Sequence, residues 1–154
     1  MMSRCEKKPD IALDEVVDRL WPYDGPHTPE TVAAAARAVS GLVRYLNNAT
    51  RQSAVPDAPS VHRVLAEVET AVFRLPQLLS QLQSAAERLV FNPTLYDDRE
   101  DRVAANTAAE LAENLRFACT DARVLGIQLN TAAQCSVHLG NEDPARPHEG
   151  GDRS

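Results

Sequence analysis

The sequence predicts an all-α fold, an elongated antiparallel helical bundle of three to four helices with a long C-terminal helix. Three observations carry this. First, Ala104, Ala108, Leu111, Leu115, Ala118, Ala122, Leu125, Leu129, Ala132, Ser136 and Leu139 follow one another at alternating spacings of four and three, the period of one helix face. Second, the same spacing returns in Val32–Ala49 and in Val61–Leu89. Third, hydrophobic residues make up 44 % of the chain but aromatic ones only 5 %, leaving an interior of Ala, Val and Leu that suits closely packed helices.

The 154 residues suffice for one domain with its own core. Residues 1–9 read as a flexible N-terminus, residues 10–140 as the helical bundle, and residues 141–154, polar and rich in Pro and Gly, as a disordered tail. Asp10 is placed to cap a short first helix with Leu13, Val16, Val17 and Leu20 on one face. Pro22 and Gly25 end that helix in a turn, with Trp21 and Tyr23 as an apolar plug. Thr28-Pro29 opens the second helix, a capping hydroxyl followed by a proline whose missing N–H costs nothing there. This helix is expected to reach about Thr50, with Gly41 as a close-packing point.

Arg51 to Ser60 reads as a connection. The third helix then carries Val61, Leu65, Val68, Val72, Leu75, Leu79, Leu82, Ala86 and Leu89, beside a second row of Val64, Ala71, Leu78 and Ala85. Three apolar positions per heptad make a wide face that demands two or more neighbours. Pro76 removes one backbone bond and crowds the Val72 carbonyl, yet the heptad phase continues across it, so a kinked continuous helix is expected. Asn92-Pro93 marks the next turn, and the acidic run Asp97, Asp98, Glu100, Asp101 suits the positive end of a last helix starting near Asp97 or Asp98, with Asp98 and Arg102 paired. Beside its main seam lies a row of small residues: Ala105, Ala112, Cys119, Gly126, Ala133 and Gly140. Such a row lets another backbone approach closely. The expected lengths are ~60 Å for the last helix, ~45 Å for the third and ~33 Å for the second, so the last helix should outreach its partners.

A net charge of -6 opposes nucleic acid or an anionic membrane as the main partner. The apolar runs fall short of the ~20 residues that cross a bilayer, and MMSRCEKKPD lacks the apolar core of a signal peptide. With Cys119 and Cys135 too far apart along one helix to bridge, three free thiols fit a reducing cytoplasm, the expected location.

No catalytic constellation is present. Cys135 and His138 lack the further ligands of a metal site, paired Glu-x-x-His motifs of di-iron bundles are absent, and so are the Arg-to-His spacing of HEPN ribonucleases, a phosphate loop and a nucleophile elbow. Cys119 reads as a small core residue. The chain is therefore expected to be no enzyme and to need neither cofactor nor metal. Secreted helical hairpins with a Trp-x-Gly turn do not match Trp21-Pro22-Tyr23.

The segments LVRYLNNATR (Leu42 to Arg51) and FRLPQLLSQLQSAAERL (Phe73 to Leu89), followed by an Ala-rich helix ending in LNTAAQCSVHLG, resemble small Ala-rich helical proteins of Streptomyces-type actinobacteria, some of them near mobile elements. The resemblance covers residues 29–140 and implies a helical fold without assigning an activity. The function expected is that of a non-enzymatic scaffold or accessory protein, acting through contacts with another protein or as a homodimer, with Phe73 and Pro76 as candidate contact residues. The alternative is a nucleic-acid accessory protein using the basic edge of Arg37, Arg44 and Arg51, spaced seven apart.

Overall fold

The computed structural model describes residues 13–51 and 54–140. Among these, four helices and no strand are found: α1 (Leu13–Leu20), α2 (Pro29–Ala49), α3 (Ala58–Leu89) and α4 (Ala104–Ser136). The fold is all-α with a long last helix, as the periodicity predicts. Two compact units part between Ala54 and Val55. The predicted cap at Asp10, the N-terminus at 1–9 and the tail at 141–154 lie outside the described residues.

In the first unit, α1 gives way to a turn in which Gly25 takes a left-handed φ of +86° and donates to the Pro22 carbonyl at 3.1 Å. Only glycine enters that region without a steric penalty. Trp21 is half-buried, but Tyr23 is no plug: it stands 92 % exposed. The Thr28 hydroxyl accepts from the Thr31 N–H at 3.2 Å, while the Thr31 hydroxyl accepts from the Thr28 N–H at 2.9 Å. This reciprocal cap fixes the start of α2 with Pro29 in its first turn. The helix continues through Gly41, where nothing lies within 4 Å of a built Cβ, so the expected close-packing point is not found among the described residues.

In the second unit, α3 starts ahead of Val61 because the Asp57 carboxylate accepts from the Ser60 N–H at 2.7 Å and Pro59 fits the first turn. It then runs unbroken through Pro76 for 32 residues. The last helix departs further from expectation. It begins at Ala104, behind Val103 and with no side-chain cap, because Asp97 is engaged elsewhere. The Asp97 carboxylate accepts from Arg99 Nε and Nη2 at 2.8 and 2.7 Å and from the Thr107 hydroxyl. Arg102 pairs with Glu110 at 2.9 Å, where Asp98 was expected. At its other end α4 stops at Ser136, after 33 residues. The two long helices thus span about 48 and 50 Å at 1.5 Å per residue, and the expected overhang of the last helix is absent.

α3 and α4 form an antiparallel hairpin. His62 Nδ1 meets Ser136 Oγ at 2.8 Å, Asn130 Nδ2 donates to Glu69 Oε1 at 2.8 Å, and the Cys119 thiol donates to the Pro76 carbonyl at 3.4 Å, so residue numbers climb on one helix as they fall on the other. On α4 the buried set is Ala108, Ala112, Cys119, Ala122, Gly126, Ala133 and Ser136, with Leu115 and Leu129 half-buried between them. The small-residue row is therefore half of the seam. Leu111 and Leu125, expected in it, stand outside at 47 and 44 % exposure. α3 is turned in the same sense: Val72 and Ala86 are buried and alternate with half-buried His62, Glu69, Pro76 and Gln83, while of the expected row Val61 and Leu82 are exposed and Val68 and Leu75 are half-buried. The row of small side chains on α4 permits a close backbone approach. Where polar groups enter the seam they are bonded, and no buried side-chain nitrogen or oxygen among the described residues lacks a partner.

Candidate functional site

The one-position turn of each helix decides where the remaining apolar residues go. In an antiparallel pair, the positions just before the seam of each helix line the same side of the hairpin. On α3 these are Val61, Val68, Leu75, Leu82 and Leu89, backed by Val64, Ala71, Leu78 and Ala85; on α4 they are Leu111, Ala118, Leu125 and Ala132. No charged side chain interrupts them. Leu78 and Leu82 are 48 and 46 % exposed, matching Leu111 and Leu125 across the way. The opposite side is mixed: Glu87, Arg116, Arg123 and Asn130 share it with Phe73.

Of the residues singled out by sequence, Pro76 belongs to the seam, with its carbonyl accepting from Cys119. Phe73 lies on the mixed side, its half-exposed ring within 3.2 Å of where a Gly126 Cβ would stand. Neither sits on the apolar side. Arg37, Arg44 and Arg51 are exposed and make no ion pair among the described residues; Arg44 and Arg51 flank an open cleft of about 480 Å³ with Asn47 and Asn48. Cys119 is buried, as its place in the small row predicts, whereas Cys135 is exposed. His138 lies beyond the end of α4, so the two predicted neighbours on one helix face are separated by the helix terminus. Among the described residues no group of three or more His, Cys, Asp or Glu could hold a metal ion. A second cleft, of about 410 Å³ beside Val90, Phe91 and Ala112, is lined by Glu87, Glu113 and Arg116 but by no Ser, Cys or His.

Comparison with protein-family models, with curated proteins and with solved structures finds no match to this chain. The chemistry of the hairpin's side is apolar.

The places of His62, Glu69 and Gln83 at the seam, from which the first two bond across to α4, had a signal in the sequence. Each directly follows a residue of the apolar row, namely Val61, Val68 and Leu82, and their spacings of seven and fourteen keep them in line. A polar residue repeating in heptad phase beside an apolar row is a candidate seam position.

The most perturbed titrating group lies in the connection between the long helices. Hydrogen bonds from Arg99, then from the Thr107 hydroxyl and the Arg99 N–H, hold the Asp97 carboxyl well below the usual carboxylate range, and Asp97 in turn raises Arg99. A carboxyl depressed in the fold contributes stability above its unfolded value of 3.8 and loses it as the pH falls below that. Asp97→Asn is expected to lower the melting temperature at about pH 6, with the difference from the parent shrinking toward about pH 2. Thermal melts across that range measure it, and a constant difference would contradict the assignment.

Proposed function

We propose that the protein is a non-enzymatic helical scaffold or accessory protein that acts through protein–protein contacts, and that the apolar side of the α3–α4 hairpin is the contact surface. The observation that carries this reading is the pair of half-exposed leucine rows, Leu78 and Leu82 on α3 with Leu111 and Leu125 on α4. A contiguous apolar surface of that extent marks an interaction site. Among the described residues no helix is long and apolar enough to cross a membrane, and the cytoplasm is the proposed location. The resemblance to Ala-rich proteins near actinobacterial mobile elements suggests an accessory role beside such an element.

The test compares a tagged wild-type chain with the Leu82→Glu, Leu125→Glu double variant in the native host. Wild type is expected to retain the untagged chain or another protein, and the variant to lose it while keeping its far-ultraviolet helix signal. Equal recovery by both, or none by either, would overturn the reading.

The exposed Arg37, Arg44 and Arg51 favour a second reading, a nucleic-acid accessory role. If all three guanidiniums contact phosphates of a duplex, the logarithm of affinity falls against that of salt with a slope of about -3, and replacing them with Gln removes that slope. Binding that ignores salt, or no binding, discards it.

A further inference from the structure

We infer that the surface covering the apolar side of the hairpin is the same side of a second copy, with the two related by a two-fold axis parallel to the helices, so that α3 of one copy lies on α4 of the other in a four-helix bundle. The inference rests on the contact-surface reading above and adds the partner and its orientation.

Size comes first. A hairpin about 48 Å long and two ~10 Å helices wide presents roughly 900 Å², so two copies bury roughly 1,800 Å² in total, within the range of stable interfaces. The chemistry of the face agrees, because a surface with no charged group in its rows offers nothing to a phosphate backbone or a lipid headgroup and fits another apolar helical face.

Charge at the edges then selects the arrangement. Arg74 flanks the apolar rows on the α3 side and Asp121 flanks them on the α4 side; both are exposed, and neither forms an ion pair among the described residues. They stand at nearly the same height, because the neighbouring Phe73 lies against Gly126 and the Pro76 carbonyl meets Cys119. An axis parallel to the helices keeps that height and exchanges the two edges. Arg74 then faces the second copy's Asp121, and by symmetry the pair forms twice. A perpendicular axis through the middle of the hairpin would set Arg74 against Arg74 and Asp121 against Asp121. The parallel axis also brings Leu82 level with the second copy's Ala118 and Val68 level with its Ala132, and sets Leu75 beside its Leu125 and Leu89 beside its Leu111, so every level of the face is apolar.

The test is sedimentation equilibrium of the purified full-length chain. The expected result is twice the chain mass at about 10 μM, with Arg74→Glu and Asp121→Arg each weakening the dimer about tenfold through two repelling pairs. The charge-swapped double variant, R74E with D121R, is expected to return to within about threefold of wild type. Both positions are exposed, so folding is not at stake, and Leu82→Glu should give a helical monomer. A monomer at about 100 μM, or a double variant no tighter than the singles, would overturn the inference. The tagged-chain experiment separates the two claims: a monomer that still loses a different protein on Leu82→Glu, Leu125→Glu removes the second copy alone, and a monomer that retains nothing removes both.

Discussion

Ala122→Leu is expected to destabilise the hairpin by about 2–3 kcal/mol, the cost of forcing extra methylenes into a close-packed contact. Ala122 is buried at the middle of α4, between Cys119 and Gly126, in a row that it shares with half-buried Leu115 and Leu129. The opposite helix brings Val72, Pro76 and Leu79 to this level, so three carbon atoms added at Ala122 find no groove to enter. They must push the helices apart and weaken the contacts above and below. Ala118→Leu, one row outside the seam, makes the same chemical change and gains helix propensity nearly equal to alanine's; it should alter monomer stability by less than about 0.5 kcal/mol. Urea unfolding of the two variants, each in the monomeric Leu82→Glu background, measures the contrast. If both cost the same, the assignment of Ala122 to the seam is wrong.

Pro76→Ala is expected to raise stability. Proline inside a helix costs ~3 kcal/mol through the lost backbone bond and the clash with the preceding turn. Against that relief stand ~1 kcal/mol for the freer unfolded chain and the loss of part of a half-buried ring. The net gain is about 1–2 kcal/mol, or roughly 4–10 °C in melting temperature for a unit of this size. The Pro76 carbonyl that receives the Cys119 thiol belongs to the backbone and survives the substitution. Since Pro76 lies in the seam and off the apolar side, the gain should leave self-association unchanged. Lower stability would show that the ring is a packing element in its own right.

The helices themselves were legible in the sequence. Four-three spacing located α2, α3 and α4, and Thr28-Pro29 marked the start of α2 because its cap uses only neighbours in sequence. Asp57 with Pro59 carries a similar local signal for α3, one easily taken for part of the loop. The start of α4 was not legible from its acidic run, since Asp97 is claimed by Arg99 and Thr107, the latter ten residues away. The seam was half legible. Leu65, Val72, Leu79 and Ala86 are in it, as are Ala108, Leu115, Ala122, Leu129 and Ser136, but periodicity cannot say which of two flanking rows completes it when, as on α4, both lack charge, or when, as on α3, the polar row with His62 and Glu69 finds partners across the seam. On α4 the smaller row is chosen because contact at close range needs little side-chain volume. That choice moves the leucines outside, so the candidate surface lies along the flank of the hairpin.

The two cysteines of α4 give the hairpin a built-in clock. Cys119 is sealed between the helices and Cys135 is exposed, both on one continuous element. A thiol reagent will therefore modify Cys135 at the rate of an open site and Cys119 only during excursions in which α3 and α4 part. The ratio of the two labelling rates converts directly into the free energy of opening, with the reference and the probe carried by the same molecule.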